Sequence, residues 1–131
     1  MPAISFSYAD LFCRFGHKRV IKLFIEKIFK KEKVKLRSIN YVFCSDSYLL
    51  QMNRQFLNHH YYTDVITFDL SDSDIIIAEA YISVDRVKEN AIVNQVSFQQ
   101  ELLRVMFHSA LHLCGYNDKT KREISQMRDK E

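Results

Sequence analysis

The helical run that ends at Gly115 constrains this chain more than any other stretch. Leu102, Leu103, Met106, Phe107, Ala110, Leu111, Leu113 and Cys114 recur at intervals of three and four residues, the period of one helix face. His108 and His112 fall outside that arc, beside Glu101, Arg104 and Val105, and their four-residue spacing stacks the two imidazoles one above the other. A well-anchored helix therefore displays both instead of dissolving them in its core. The chain has only two glycines, and Gly115 stands just past the second histidine, where it lets the backbone turn out of the helix. Asp118 is then placed to swing back as a third donor. His108, His112 and Asp118 together predict one zinc ion per chain, with a fourth coordination position left for water.

What accompanies the histidines narrows the chemistry. A zinc protease of the HExxH kind needs a glutamate directly after the first histidine, and here that position is Ser109. Zinc held by three protein ligands lowers the pKa of its water to about 7. The residues thus point to hydrolysis and leave the substrate open.

Three blocks of sequence carry a resemblance. The stretch His108 to Asp118, HSALHLCGYND, resembles the signature of the YbeY family of endoribonucleases and rRNA maturation factors, commonly HGxLHLxGYDH. Asn53-Arg54-Gln55-Phe56-Leu57 with Thr63-Asp64-Val65-Ile66-Thr67-Phe68 is similar to a second family block, and Ala80-Tyr81-Ile82-Ser83-Val84-Asp85 to a third. The likeness runs in order from roughly residue 35 to 131. It implies a zinc-dependent, single-strand-preferring endoribonuclease acting in rRNA maturation and ribosome quality control, with RNA, ribosomal particles and ribosomal proteins as partners. The chain departs from the pattern at Asp118, where the family has histidine, at Ser109 for glycine, at Leu57 for arginine, and at the Glu79-Ala80 junction. Carboxylate is a competent zinc ligand, whereas leucine cannot bond a phosphate. Two other readings stay open: a non-catalytic, metal-stapled ribosome-associated RNA-binding factor, and a metallohydrolase of small molecules or peptides.

At 131 residues, 47% hydrophobic and 13% aromatic, the chain can bury one core, and the expectation is a single metallohydrolase domain over residues 1–131. One proline, two glycines and no low-complexity run offer no linker. No signal pattern opens the chain, and its apolar runs fall far short of the roughly 20 residues a bilayer requires, so the reading is a cytoplasmic protein without a membrane segment. Cys13, Cys44 and Cys114 are odd in number and show no CxxC spacing, which points to reduced thiols. Cys114 lies on the helix face opposite His112 and reads as core.

Charge is segregated. Ten of the nineteen Lys and Arg lie between Arg14 and Arg37, against Glu26 and Glu32 alone. Val20, Ile21, Phe24, Ile25 and Ile28 recur there at helical spacing, which predicts an inward apolar stripe and an outward basic face. Lys18, Lys22, Lys27, Lys30 and Lys31 on that face either contact RNA phosphates or form a solvated surface. The span from Gln55 to Val84, by contrast, has no Lys or Arg and holds five acids.

Periodicity predicts strands at 3–8 and 36–44, a basic helix at 17–32, and a helix capped by Ser45 or Asp46 that runs to about Leu57. Thr63 to Leu70 and Asp74 to Val84 read as two β segments joined by Ser71-Asp72-Ser73, an antiparallel pair. Helices follow over 85–95 and 97–114, and Thr120-Lys121-Arg122-Glu123 is a capping box opening a last one. The fold class is α/β (α+β): about four strands in a mixed sheet, packed with five or so helices. Asp64 either orients a ligand or water at the site or belongs to a turn. Asn53 either binds phosphate or caps backbone, and His59 and His60, before a tyrosine pair in a loop, either touch RNA or solvate that loop.

Overall fold

The computed structural model describes residues 2–58 and 62–116. Four strands, β1 (Ala3–Tyr8), β2 (Leu36–Cys44), β3 (Val65–Asp69) and β4 (Ile76–Ser83), form one sheet in the order β1-β2-β4-β3. The first three in that order run parallel, and β3 pairs antiparallel with β4 at the edge. The mixed sheet follows from chain economy. Ser71 and its neighbours suffice to reverse β3 into β4, whereas parallel neighbours need a helical crossover. Ser71 Oγ accepts from the Ile77 amide at 2.8 Å, which closes that reversal.

Four helices, α1 (Lys18–Lys31), α2 (Asp46–Leu57), α3 (Val84–Val93) and α4 (Phe98–Leu113), occur among the described residues. The helix expected to open at Thr120 lies outside them. Alternation along β4 shows how the layers are divided. Ile76, Ala78, Ala80 and Ile82 are buried on the face that α1, α3 and α4 cover, in one core with Ile25, Val87, Leu102 and Met106. Tyr81 faces the other way, where α2 seats Leu49 against Cys44 and Ile66. Tyr41, fully buried on β2, donates its hydroxyl to the Met106 carbonyl at 3.2 Å, so the core holds that polar group satisfied.

Serine starts three of the helices. Ser45, Ser83 and Ser97 accept from the amides of Tyr48, Arg86 and Gln100, each satisfying an end donor that the helix leaves orphaned. At Ser97 the Gln100 side chain also accepts from the Ser97 amide, completing a capping box. The starts of α2 and α3 are locked together. Asp46 accepts from Ser83 Oγ at 2.8 Å and pairs with Arg86 at 2.6 Å, and its amide donates to Asp85 at 2.8 Å.

The inward stripe of α1 is narrower than its sequence predicts. Ile21, Ile25 and Phe29 are buried, but Val20 and Phe24 are 47% and 51% exposed. One helix lying at the margin of a four-stranded sheet meets it along a single i, i+4 ridge, and residues a quarter-turn away face solvent.

Candidate metal centre

Helix α4 carries the two histidines to the place where the chain turns. The Gly115 amide donates to the His112 carbonyl at 3.0 Å and the Tyr116 amide to the Leu111 carbonyl at 3.1 Å, with Gly115 at φ 104°. These are the two bonds of a Schellman motif, and only glycine takes that φ without strain. His112 is exposed and His108 half-buried on the last two turns. Asp118 lies outside the described residues, and among those described no three His, Cys, Asp or Glu side chains come together as a metal site. Two imidazoles at i and i+4 are nonetheless a donor pair that suits zinc and needs one further oxygen or nitrogen ligand.

The rotation of α4 differs from the sequence expectation. Glu101 and Val105, expected beside the histidines outside the apolar arc, are buried, as is Ser109. Val105 joins the main core, and β3 packs on the Ser109 side of the helix. Thr67 and Ser109 hydroxyls lie 2.9 Å apart across that contact. Glu101 tolerates burial because Arg104, one turn on, grips both carboxylate oxygens, the shortest contact being 2.6 Å. Arg104 Nη2 also reaches Asp64 Oδ2 at 3.4 Å.

Asp64, a candidate in sequence, is therefore brought to the histidine side of α4. Burial pushes its carboxyl upward, and the Arg104 guanidinium and the His108 imidazole oppose the shift without cancelling it. Asn53, read from sequence as either a phosphate binder or a backbone cap, is 1% exposed and lies inside α2's packed face. His59 and His60 lie outside the described residues. Cys114 packs half-buried against the core, and burial, helped by the Glu32 charge, pushes its thiol up to about 12.

The basic residues of α1 occupy a different side of α4. The two helices meet through Phe24 and Phe107, whose ring centroids are 6.2 Å apart. Lys18, Lys22 and Lys27 lie over the rings of Phe15, Phe6 and Phe24 at 5.0, 5.6 and 6.0 Å. Lys30 and Lys31 are exposed at the helix end. On the far face of the sheet, Tyr48, Met52, Phe56, Phe68, Glu79 and Tyr81 line an open cavity of about 630 Å³ that sequence reading missed. Its walls come from α2, β3 and β4, so no local pattern announces it.

The family model described as Endoribonuclease YbeY matches residues 9–131. The chain belongs to the YbeY family. It is 52% identical over 112 residues to Endoribonuclease YbeY of Cytophaga hutchinsonii, covering 85% of this chain and 78% of that one. With the Amoebophilus asiaticus Endoribonuclease YbeY it shares 40% identity over 134 residues, 100% of this chain and 91% of the relative. The solution structure of TM1509 from Thermotoga maritima matches with a TM-score of 0.59 and 28% identity, covering 96% of this chain and 85% of the other. Against the YbeY signature, Ser109 gains a meaning: the hydroxyl that replaces the usual glycine hydrogen is the one bonded to Thr67.

Proposed function

We propose that this chain is a zinc-dependent, single-strand-preferring endoribonuclease of rRNA maturation and ribosome quality control, acting in the cytoplasm as one domain over residues 1–131. What supports the reading is the pair His108 and His112 on a packed helix that ends in a glycine turn, in a chain of the YbeY family. RNA, ribosomal particles and ribosomal proteins are its proposed partners. No helix among the described residues is long and apolar enough to cross a membrane.

His108, His112 and Asp118 would hold the ion. Zinc, when bound, supplies a Lewis acid for a phosphoryl oxygen and an acidified water near neutral pH. The chain's own groups do the rest. The packed face of α4 keeps both imidazoles on a fixed backbone, so that the donors are arranged before RNA arrives. Asp64, steered by Arg104, has carboxylate oxygens available to accept an N–H or water proton at this side of the helix. Lys18, Lys22, Lys27, Lys30 and Lys31 offer positive charge to the phosphate backbone from α1, the helix packed against α4 through Phe24 and Phe107.

Zinc content of purified protein, measured beside cleavage of single-stranded RNA with and without chelator, tests the reading. One zinc per chain and chelator-sensitive cleavage are expected. Stoichiometric zinc without cleavage makes the protein a metal-stapled RNA-binding factor, and an absence of zinc removes the metal centre. His112→Ala should lose the zinc and keep the fold, because His112 is exposed. Asp118→His should retain the metal, whereas Asp118→Ala should weaken binding tenfold or more.

A further inference from the structure

Glu101 is a carboxylate with 2% of its surface exposed, and the chemistry proposed above gives it no task. A charge so deep persists only when it is paired and hydrogen-bonded. Arg104 supplies both, through Nη2 to Oε2 at 2.6 Å and Nε to the two oxygens at 3.1 and 3.0 Å. The guanidinium is planar and its fork rigid. Pinned at one side by an immobile carboxylate, it has little freedom at the other, where Nη2 meets Asp64 Oδ2 at 3.4 Å. Asp64 stands at the entrance of β3, close enough for the His108 imidazole to act on it electrostatically, and Arg104 and His108 are one turn apart on α4.

We infer that Arg104 is a positioning residue: anchored by buried Glu101, it fixes the Asp64 carboxylate beside His108 and thereby sets the orientation in which that imidazole meets a cation. Residues around a metal ligand commonly orient it in this way, and their loss weakens metal binding by about 10- to 100-fold. The arrangement has a direction. Glu101 supplies the fixed point, Arg104 transmits it, and Asp64 is the carboxylate presented on the His108 side of α4. The inference rests on the metal reading of the site, but its geometry concerns side chains present without metal.

Arg104→Gln alone strands the Glu101 charge and risks unfolding, so the informative variant is the paired exchange Glu101→Gln with Arg104→Gln, which leaves a neutral buried pair able to hydrogen-bond. Two quantities are measured: zinc affinity by competition with a chelator, and the imidazole ¹H–¹⁵N signals of His108 and His112 in metal-free protein. The paired exchange should lower zinc affinity about tenfold, move the His108 signals and leave those of His112 in place. Asp64→Asn should do the same, and combining all three substitutions should add nothing, since they interrupt one connected set of side chains. Unchanged His108 signals overturn the proposal, as do equal shifts at both histidines, which mark general loosening of α4. Additive losses in the triple variant overturn it too. If wild-type protein takes up no zinc, the metal reading fails, while the metal-free His108 signals still decide the role of Arg104.

Discussion

Thr67 Oγ1 lies 2.9 Å from Ser109 Oγ, a hydroxyl pair that fastens the edge strand β3 to α4 one residue past His108. An edge strand has only one neighbour in its sheet, so a side-chain tie to the helix beneath it replaces the missing strand.

Replacing Ser109 with glycine, the residue common in the family signature, removes that tie and weakens the helix. Loss of one hydrogen bond costs about 1 kcal/mol, and glycine within a helix about another 1 kcal/mol. A urea denaturation series should show Ser109→Gly less stable by about 2 kcal/mol, with Ser109→Ala losing about half as much. Equal stability of all three proteins would show that the hydroxyl pair contributes nothing.

Gly115→Ala should destabilise through backbone strain alone. A Cβ at this position meets no atom within 4 Å, so the cost comes from φ 104°, a conformation L-residues resist by about 1–2 kcal/mol. Thermal unfolding should register the loss, and zinc content should fall with it if, as proposed, Asp118 completes the site with the histidines. Normal stability in this variant would mean that the chain leaves α4 by another path.

Stability should fall at acid pH through Asp46. Burial pushes its carboxyl upward, but hydrogen bonds from Arg86 and Ser83, with the guanidinium charge, outweigh burial and hold it below the usual carboxylate value. A depressed folded value means that the contribution is fully present above the unfolded pKa of about 3.9 and disappears as pH drops through the lower folded value. For a pair this near the surface the contribution is about 1 kcal/mol. Asp46→Asn should therefore be less stable than the parent at pH 7 and converge with it as the pH falls through the lowered folded value; a constant gap between their urea midpoints would assign the loss to something other than charge.

The lysines of α1 make a quantitative claim about RNA. Every lysine–phosphate pairing that is removed should flatten the slope of log affinity against log salt by about 0.7 for a single strand. Changing Lys27, Lys30 and Lys31 to Gln should lower that slope by about 2 in fluorescence anisotropy titrations and leave zinc content alone. An unaltered slope would identify α1 as a solvated face.

Local chemistry was legible along the chain. Strand alternation, the Ser45 cap, the Ser71 reversal and the glycine exit after His112 each depend on residues within a few positions of one another, and each stands in the structure where sequence puts it. The histidine pair belongs to the same class, because i and i+4 on a helix are neighbours whatever else the protein does. Burial is different: it depends on which surface arrives from elsewhere in the chain. Phe24 reads as core by period but is half exposed beside Phe107 of α4, and Asn53, read as either a phosphate binder or a backbone cap, is buried. Glu101 lies outside the apolar arc by period, yet it is buried with Arg104 gripping its carboxylate. Asp64 and Arg104 meet across forty residues of sequence, a meeting that no local pattern encodes, since only the folding of β3 onto α4 brings the carboxylate within reach of the guanidinium.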